Sequence, residues 1–335
     1  MEKEFVSIVM LCYNHERYLA KALDSVLMQE TRYSYKIVIG DDCSPDQSQE
    51  IIKNYVRQYP NIIHAICRKK NLGMNENFID LIHRCEGKYI AYLECDDYWT
   101  DNQKLQKQVD FLETHPQYSA VTAQTRCEDQ DGQTLREKMF DFKKGKDFDY
   151  FDLRAFKQPG HMSTWVMRNE FQEGIYDIAR MLDYKHSTGD RILPILLLSK
   201  GKIHCLPDLV SCYRYDLRPE STSWSSKHDK ALRNGNLEDF ERLEQLEAYA
   251  ATLSYPIQFT KKKVFYYGLA LYYAYIHKNK GYKSAKKEMR RRMHHNIRFT
   301  LAGYYSLFLL IFNSVIVKVK RKKISSKATS LDLSN

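Results

Sequence analysis

Two adjacent carboxylates, Asp96 and Asp97, close an apolar run in the segment Tyr89-Ile-Ala-Tyr-Leu-Glu-Cys-Asp-Asp-Tyr-Trp99. Strand-forming side chains fill 89–93, so the pair should stand where a buried strand reaches the surface. Ligands of open parallel sheets bind at such strand ends. Neighbouring carboxylates repel unless a cation neutralises them, and hard divalent ions prefer oxygen donors. An acidic surface loop is the plainer reading of the same residues. Further acidic groups stand at comparable places: Asp41-Asp42 after the apolar run Tyr35–Gly40, and Asp190 in Thr188-Gly189-Asp190 before an apolar helix.

The elements that would position these groups alternate. Phe5–Leu11 reads as a buried parallel strand. Asn14 is placed to cap a helix over 16–29, whose Leu19, Ala22, Leu23, Val26 and Leu27 recur at helical spacing. Strands at 35–40, 62–67 and 88–94 alternate with helices ending near Tyr59 and Cys85, the first capped by Ser44 or Asp46. A helix at 103–114 and a strand at 118–127 continue the series. This order predicts an α/β architecture, a mainly parallel sheet with helices on both faces. Residues 130–160 read as an irregular excursion. His161–Arg168 reads as a strand, 191–200 as a helix, and 202–206 and 210–215 as strands. Polar helix follows over 227–254 and basic helix over 259–298. No repeat is visible.

With these motifs in order, residues 5–215 resemble a family-2 glycosyltransferase of the GT-A fold. The matching stretches are Val6-Ser-Ile-Val-Met-Leu-Cys-Tyr-Asn14, Ile37-Val-Ile-Gly-Asp-Asp-Cys-Ser44, Asn71-Leu-Gly73, Asp96-Asp97 and Thr188-Gly-Asp-Arg191. The resemblance implies a Rossmann-like GT-A catalytic domain over 1–225, with nucleotide-sugar binding in 1–127 and the acceptor and catalytic part in 128–225. It implies that the enzyme moves a sugar from a nucleotide-diphosphate donor, UDP-linked by expectation, to a glycan or glycolipid. Tyr13 would stack on the base, with Asn14 beside it. Asp42 would accept from the uracil N–H, although a turn or helix cap is its other reading. Asp96 would contact the ribose or assist the metal, and Asp97 would ligate Mn²⁺ or Mg²⁺ on the diphosphate.

The chemistry explains such a set. Expelling a nucleoside diphosphate builds negative charge that a divalent cation stabilises, and the attacking hydroxyl needs a base. The resemblance gives that role to Asp190, at a helix start that favours the ionised carboxylate. From sequence alone Asp190 reads by default as a plain N-cap, and only the resemblance lifts it above that. One base acting opposite the leaving group implies inversion at the anomeric carbon. Asn71, Gly73 and Asn77 would approach the donor, Gly73 allowing close backbone passage, and a simple turn is the alternative. His161, Trp165 and Trp224 would line the acceptor side or serve as packing. Arg214 in Tyr213-Arg-Tyr215 would contact the diphosphate. Two positions depart from the family pattern: Asp216 stands where relatives carry His, and Leu11-Cys12 replaces Pro-Thr.

The 335 residues are 43% apolar, enough for a sizeable core. Eight cysteines are scattered without a CxxC pair, which predicts reduced thiols, a cytoplasmic setting and no zinc module. The start, Met1-Glu-Lys-Glu, is unlike a secretion signal. The net charge of +10 is uneven. From Pro256 onward 18 Lys and Arg face only Glu288 and Asp332, leaving the first 255 residues net acidic. Residues 226–323 therefore read as a basic helical extension and 324–335 as a disordered tail. The uncharged stretch Phe299–Val317 is long enough to span a bilayer but carries polar residues and has basic clusters on both sides. An in-plane helix on anionic headgroups is the preferred reading, against packing on the catalytic domain. Nucleic acid is not expected, since no known module accompanies the charge. The whole suggests peripheral attachment to the cytoplasmic face of a membrane and a part in lipopolysaccharide or capsule synthesis.

Two other functions compete. A sugar-nucleotide nucleotidyltransferase shares the topology but needs a glycine-rich loop where Cys12-Tyr-Asn-His-Glu-Arg17 has no glycine. A dinucleotide dehydrogenase fails for the same reason. A catalytically silent membrane scaffold of the same fold is disfavoured by the retained Asp42, Asp97 and Asp190.

Overall fold

The computed structural model describes residues 5–140, 142, 145–171, 178–183, 189–216, 218, 236–277, 287, 288 and 291. Strands β1 (Val6–Cys12), β2 (Tyr35–Asp41), β3 (Ile63–Cys67) and β4 (Tyr89–Glu94) alternate with helices α1 (Leu19–Leu27), α2 (Ser48–Gln58) and α3 (Met74–His83). After β4 come β5 (Tyr98–Trp99), α4 (Lys104–Thr114), β6 (Tyr118–Asp129), β7 (Thr134–Arg136), β8 (Lys146–Phe148), α5 (Tyr150–Arg154), β9 (Val166–Arg168), α6 (Gly189–Lys200) and β10 (Lys202–Tyr215). The strands form one sheet in the order β3-β2-β1-β4-β9-β6-β10-β5, with β7 on β6 and β8 on β10. Its first four strands are parallel, as is the β6–β10 pair, while β9 runs antiparallel between β4 and β6. All seven residues of β1 are buried because it lies between β2 and β4.

Side-chain alternation along the strands sorts the two faces. Val6, Ile8, Met10 and Cys12 of β1, Tyr89, Ala91 and Leu93 of β4, and Cys95 just after it join one apolar cluster. Leu19, Leu23 and Val26 of α1, Ile52 of α2 and Leu105, Val109 and Leu112 of α4 complete it. On the opposite face α3 presses on β2. A Cβ on Gly40 would come within 2.6 Å of Asn77 Oδ1 and 2.9 Å of Leu81. Only glycine lets α3 sit that close.

Several local expectations are corrected. Asn14 caps no helix: its φ is 60°, and α1 begins five residues later, after Tyr18. His161–Arg168 is not one strand, because Met162–Thr164 forms a 3₁₀ turn before β9. Thr164 donates to the His161 carbonyl through both its N–H (2.9 Å) and its hydroxyl (2.7 Å), which closes that turn. The two strands read at 202–206 and 210–215 are a single β10, with register shifts on either side of Leu209. Pro207 falls in that interruption and supplies no N–H.

The chain divides into two compact units. One comprises Met1–Lys230 with Leu246–Ile257, the other Ala231–Gln245 with Gln258–Asn335. The second contains the helix Thr260–His277, in which Lys263 lies 5.7 Å from the Phe240 ring centre. Among the described residues no helix is long and apolar enough to cross a membrane. Residues 299–317 and the expected tail at 324–335 lie outside the described residues.

Candidate active site

The carboxyl ends of β1, β2 and β4 lie side by side, with Cys12 paired to Asp41 and Leu11 paired to Glu94. Asp42 therefore stands about 10 Å, or two strand spacings, from the end of β4. Asp42 is 4% exposed. Its carboxylate accepts from the N–H groups of Leu72 and Gly73, each at 2.8 Å, and its carbonyl accepts from Asn71 Nδ2 at 2.9 Å. The loop before α3 is thus strapped to the end of β2. Gly73 sits at φ 90° with nothing within 4 Å of a would-be Cβ. The backbone conformation demands glycine there, and the space beside it is open. Tyr13 is 43% exposed and presents its ring to solvent. Asn14 N–H donates to Ser44 Oγ at 2.9 Å, tying the β1 loop to the β2 loop.

Glu94, Asp97 and His161 form the centre of the site, with one ligand atom of each within 4.8 Å of the others. Asp97 is 1% exposed. Its Oδ1 accepts from Arg214 N–H at 3.0 Å, while Oδ2 has no hydrogen-bond partner and lies 3.4 Å from His161 Nδ1. Burial pushes the Asp97 carboxyl well up, and the charges of Asp96 and Glu94 add to it. Glu94 is pushed up to about 8 by burial, then by Asp96 and Asp190. Burial lowers His161 to about 4, so its imidazole is neutral across the physiological range. A buried carboxylate oxygen without a donor, beside a second carboxyl and a neutral imidazole, is the environment a divalent cation would relieve. These residues fit such an ion.

Asp190 occupies the first turn of α6. Its Oδ2 accepts from Gln158 Nε2 at 2.6 Å and lies 3.6 Å from Arg191 Nε. Its charge bears on both Glu94 and His161, raising the pKa of each. Arg214 is buried and clamps the end of β4 rather than standing in open solvent. Its Nε donates to the Asp96 carbonyl at 3.1 Å, and its guanidinium lies 4.3 Å from the Tyr18 ring centre. Asp216, at the position where relatives carry His, accepts from Arg218 N–H at 3.0 Å and Arg218 Nε at 2.9 Å.

One acceptor-side expectation changes. Trp165 is 1% exposed and donates from Nε1 to the Gly160 carbonyl at 3.1 Å, so it packs and faces no substrate. His161 sits beside Asp97. Trp224 lies outside the described residues. Glu94 was missed. It ends an otherwise apolar strand, and a lone acidic residue inside such a run was the available signal.

Comparison with known proteins then decides the family. Residues 7–172 match glycosyl transferase family 2. This stretch is a family-2 glycosyltransferase domain. An uncharacterized protein of Mycobacterium tuberculosis is 31% identical over 214 residues, covering 62% of this chain and 58% of its own length. The chain therefore spans less than two thirds of that relative. TuaG of Bacillus subtilis, named for teichuronic acid biosynthesis, is 32% identical over 110 residues, 33% of this chain and 42% of its own. Among solved structures, S. aureus TarS residues 1–349 in complex with UDP-GlcNAc align with a TM-score of 0.50 at 16% identity, covering 86% of this chain and 92% of that one. The UDP complex aligns at 0.51 and 17% identity, covering 86% and 91%. At such identities the likeness carries the fold: the family-2 domain here is of the GT-A type.

Proposed function

We propose that the chain is an inverting glycosyltransferase that moves a sugar from a UDP-sugar to a glycan or glycolipid acceptor with the help of Mn²⁺ or Mg²⁺. The observation that carries this reading is the meeting of Glu94, Asp97, His161 and Asp190 at the strand ends of a family-2 domain. Glu94, Asp97 and His161 would hold the cation, and the imidazole favours Mn²⁺ over the strictly oxygen-seeking Mg²⁺. Such an ion, when bound, supplies Lewis-acid stabilisation of the departing diphosphate.

The remaining steps belong to the protein's own groups. Tyr13 offers an exposed ring face to the base, and Asp42 fixes the loop carrying Gly73, past which the donor would run. Asn71, through its bond to the Asp42 carbonyl, keeps that loop in register. Arg214 holds the Asp96-Asp97 peptide so that Asp97 points inward. Asp190 takes the acceptor proton as the hydroxyl attacks the face opposite the diphosphate, and Gln158 orients its carboxylate. The mechanism therefore inverts the anomeric centre.

The UDP preference draws on the UDP-GlcNAc ligand of TarS, and a role in surface polysaccharide assembly, such as lipopolysaccharide or capsule, draws on the naming of TuaG. The basic extension after Pro256 would bring the enzyme to an anionic membrane, as a peripheral protein of the cytoplasmic face. The test is release of free nucleotide from a panel of UDP-, GDP- and dTDP-sugars with and without Mn²⁺. Mn²⁺-dependent release from one UDP-sugar supports the reading. Binding of a UDP-sugar without any turnover on glycan or lipid acceptors would favour the silent scaffold.

A further inference from the structure

The ends of β1 and β4 carry a second group of donor atoms with different chemistry. Cys12 ends β1 and Cys95 follows β4. The strands are parallel neighbours in the register Leu11 to Glu94, which sets the two cysteines side by side. They are 1% and 0% exposed and belong to the apolar layer shared with α1. His15, in the β1–α1 loop, completes the group: the two sulfurs and one of its ring nitrogens lie within 4.8 Å of one another. Its Nδ1 is buried and has no hydrogen-bond partner, whereas Nε2 looks toward Asp96 Oδ2 at 3.9 Å. A buried imidazole nitrogen with nothing to bond is costly, and Nδ1 is the one free to serve the sulfurs.

We propose that Cys12, His15 and Cys95 form a binding site for a thiophilic divalent cation, zinc foremost, distinct from the carboxylate group of Glu94, Asp97 and His161. Thiolate and imidazole are the donors zinc prefers, and three protein ligands leave its fourth tetrahedral position open. Donor atoms around tetrahedral zinc are about 3.5–3.8 Å apart, given metal–ligand bonds near 2.0–2.3 Å, so the present spacing need close by no more than roughly an ångström on binding. The balance is simple. Each thiol exchanges its S–H bond for a bond to zinc, two protons pass to solvent, and no electrons move. Zn²⁺ with two thiolates is neutral, which suits the apolar layer. Asp96 lies 3.9 Å beyond Nε2, on the side from which a carboxylate orients a metal-bound imidazole. An ion here would pin the β1–α1 loop to the end of β4, next to Tyr13.

The test uses the full reduced chain, stripped of metal and titrated with Cd²⁺ as a spectroscopic stand-in, then with Zn²⁺ in competition. One equivalent of Cd²⁺ should give a thiolate-to-metal charge-transfer band that Zn²⁺ displaces. Cys12→Ser and Cys95→Ser should each lose that band, while Asp97→Asn should keep it. His15→Ala leaves both thiols and the apolar layer in place and should weaken zinc binding by about tenfold or more. The proposal is overturned if wild type gives no band, if the band survives both cysteine substitutions, or if His15→Ala binds zinc as tightly as wild type.

Discussion

Replacing Asp97 by Asn should stabilise the metal-free protein while removing its response to Mn²⁺. Asn keeps the shape and an oxygen for Arg214 N–H, which Asp97 Oδ1 now accepts at 3.0 Å. The change deletes one charge from a buried group whose ligand atoms lie within 4.8 Å of each other. Two unit charges at that separation repel by about 3 kcal/mol at an effective dielectric of about 20. The sign follows from proton linkage. Burial, then the charges of Asp96 and Glu94, push the Asp97 carboxyl well up in the folded protein, so the folded state holds a proton that the unfolded state has released. That contribution is complete below the unfolded carboxyl pKa of about 4 and is lost as pH rises above it. Metal-free Asp97→Asn should therefore match wild type near pH 3 and exceed it at pH 9, by on the order of 3 kcal/mol. In a domain of this size each kcal/mol moves the Tm by roughly 2–4 °C. Calorimetry across pH, repeated with Mn²⁺, measures both effects. A variant that melts below wild type at pH 9 and still shifts with Mn²⁺ would refute the reasoning.

Asp190→Asn should bind donor normally and lose about 10²–10⁴ in kcat, the span general-base catalysis supplies; steady-state kinetics with kcat near wild type would remove Asp190 as the base. Asp42→Asn leaves one of the Leu72 and Gly73 N–H groups without its carboxylate acceptor, at about 1.5–3 kcal/mol; it should weaken nucleotide-sugar binding in calorimetry and leave Mn²⁺ affinity unchanged. Lys104 is buried, its Nζ lacks a hydrogen-bond partner 4.2 Å from the Trp99 ring centre, and burial drives its pKa well down. Because the unfolded chain binds the proton that folded Lys104 has shed, stability climbs with pH up to the unfolded pKa; Lys104→Met should flatten denaturation curves by about 1.4 kcal/mol per pH unit in that window. Removing residues 299–335 should release the protein from anionic vesicles, and unchanged co-sedimentation would favour packing of that segment on the catalytic domain.

The strand–helix alternation was legible because β1, β2 and β4 lie between neighbours and are apolar along most of their length, β1 most clearly. The Asp96-Asp97 pair stood out because it interrupts such a run. Glu94 did not, since one acidic residue at a strand end reads as the strand's boundary, and only the fold brings His161 across to it. His161 arrives there through the 3₁₀ turn Met162–Thr164, whose hydrogen bonds leave no periodic trace. Trp165 shows the converse: an aromatic beside a site motif reads as a wall of the site, but the Gly160 carbonyl and the sheet hold it inside. Asp42 was recognised by position, while its grip on Leu72 and Gly73 depends on a loop 30 residues away. The cysteine pair escaped notice as a group because strand register, not sequence spacing, sets Cys12 beside Cys95.

The central claim is that a cation held by Glu94, Asp97 and His161 recruits the nucleoside diphosphate of a sugar donor. Calorimetric titration of UDP into the full chain, with and without Mn²⁺, tests it most directly. Binding that appears only with Mn²⁺ and vanishes in Asp97→Asn is the predicted result. UDP affinity that is equal without metal, or retained in that variant, contradicts the account.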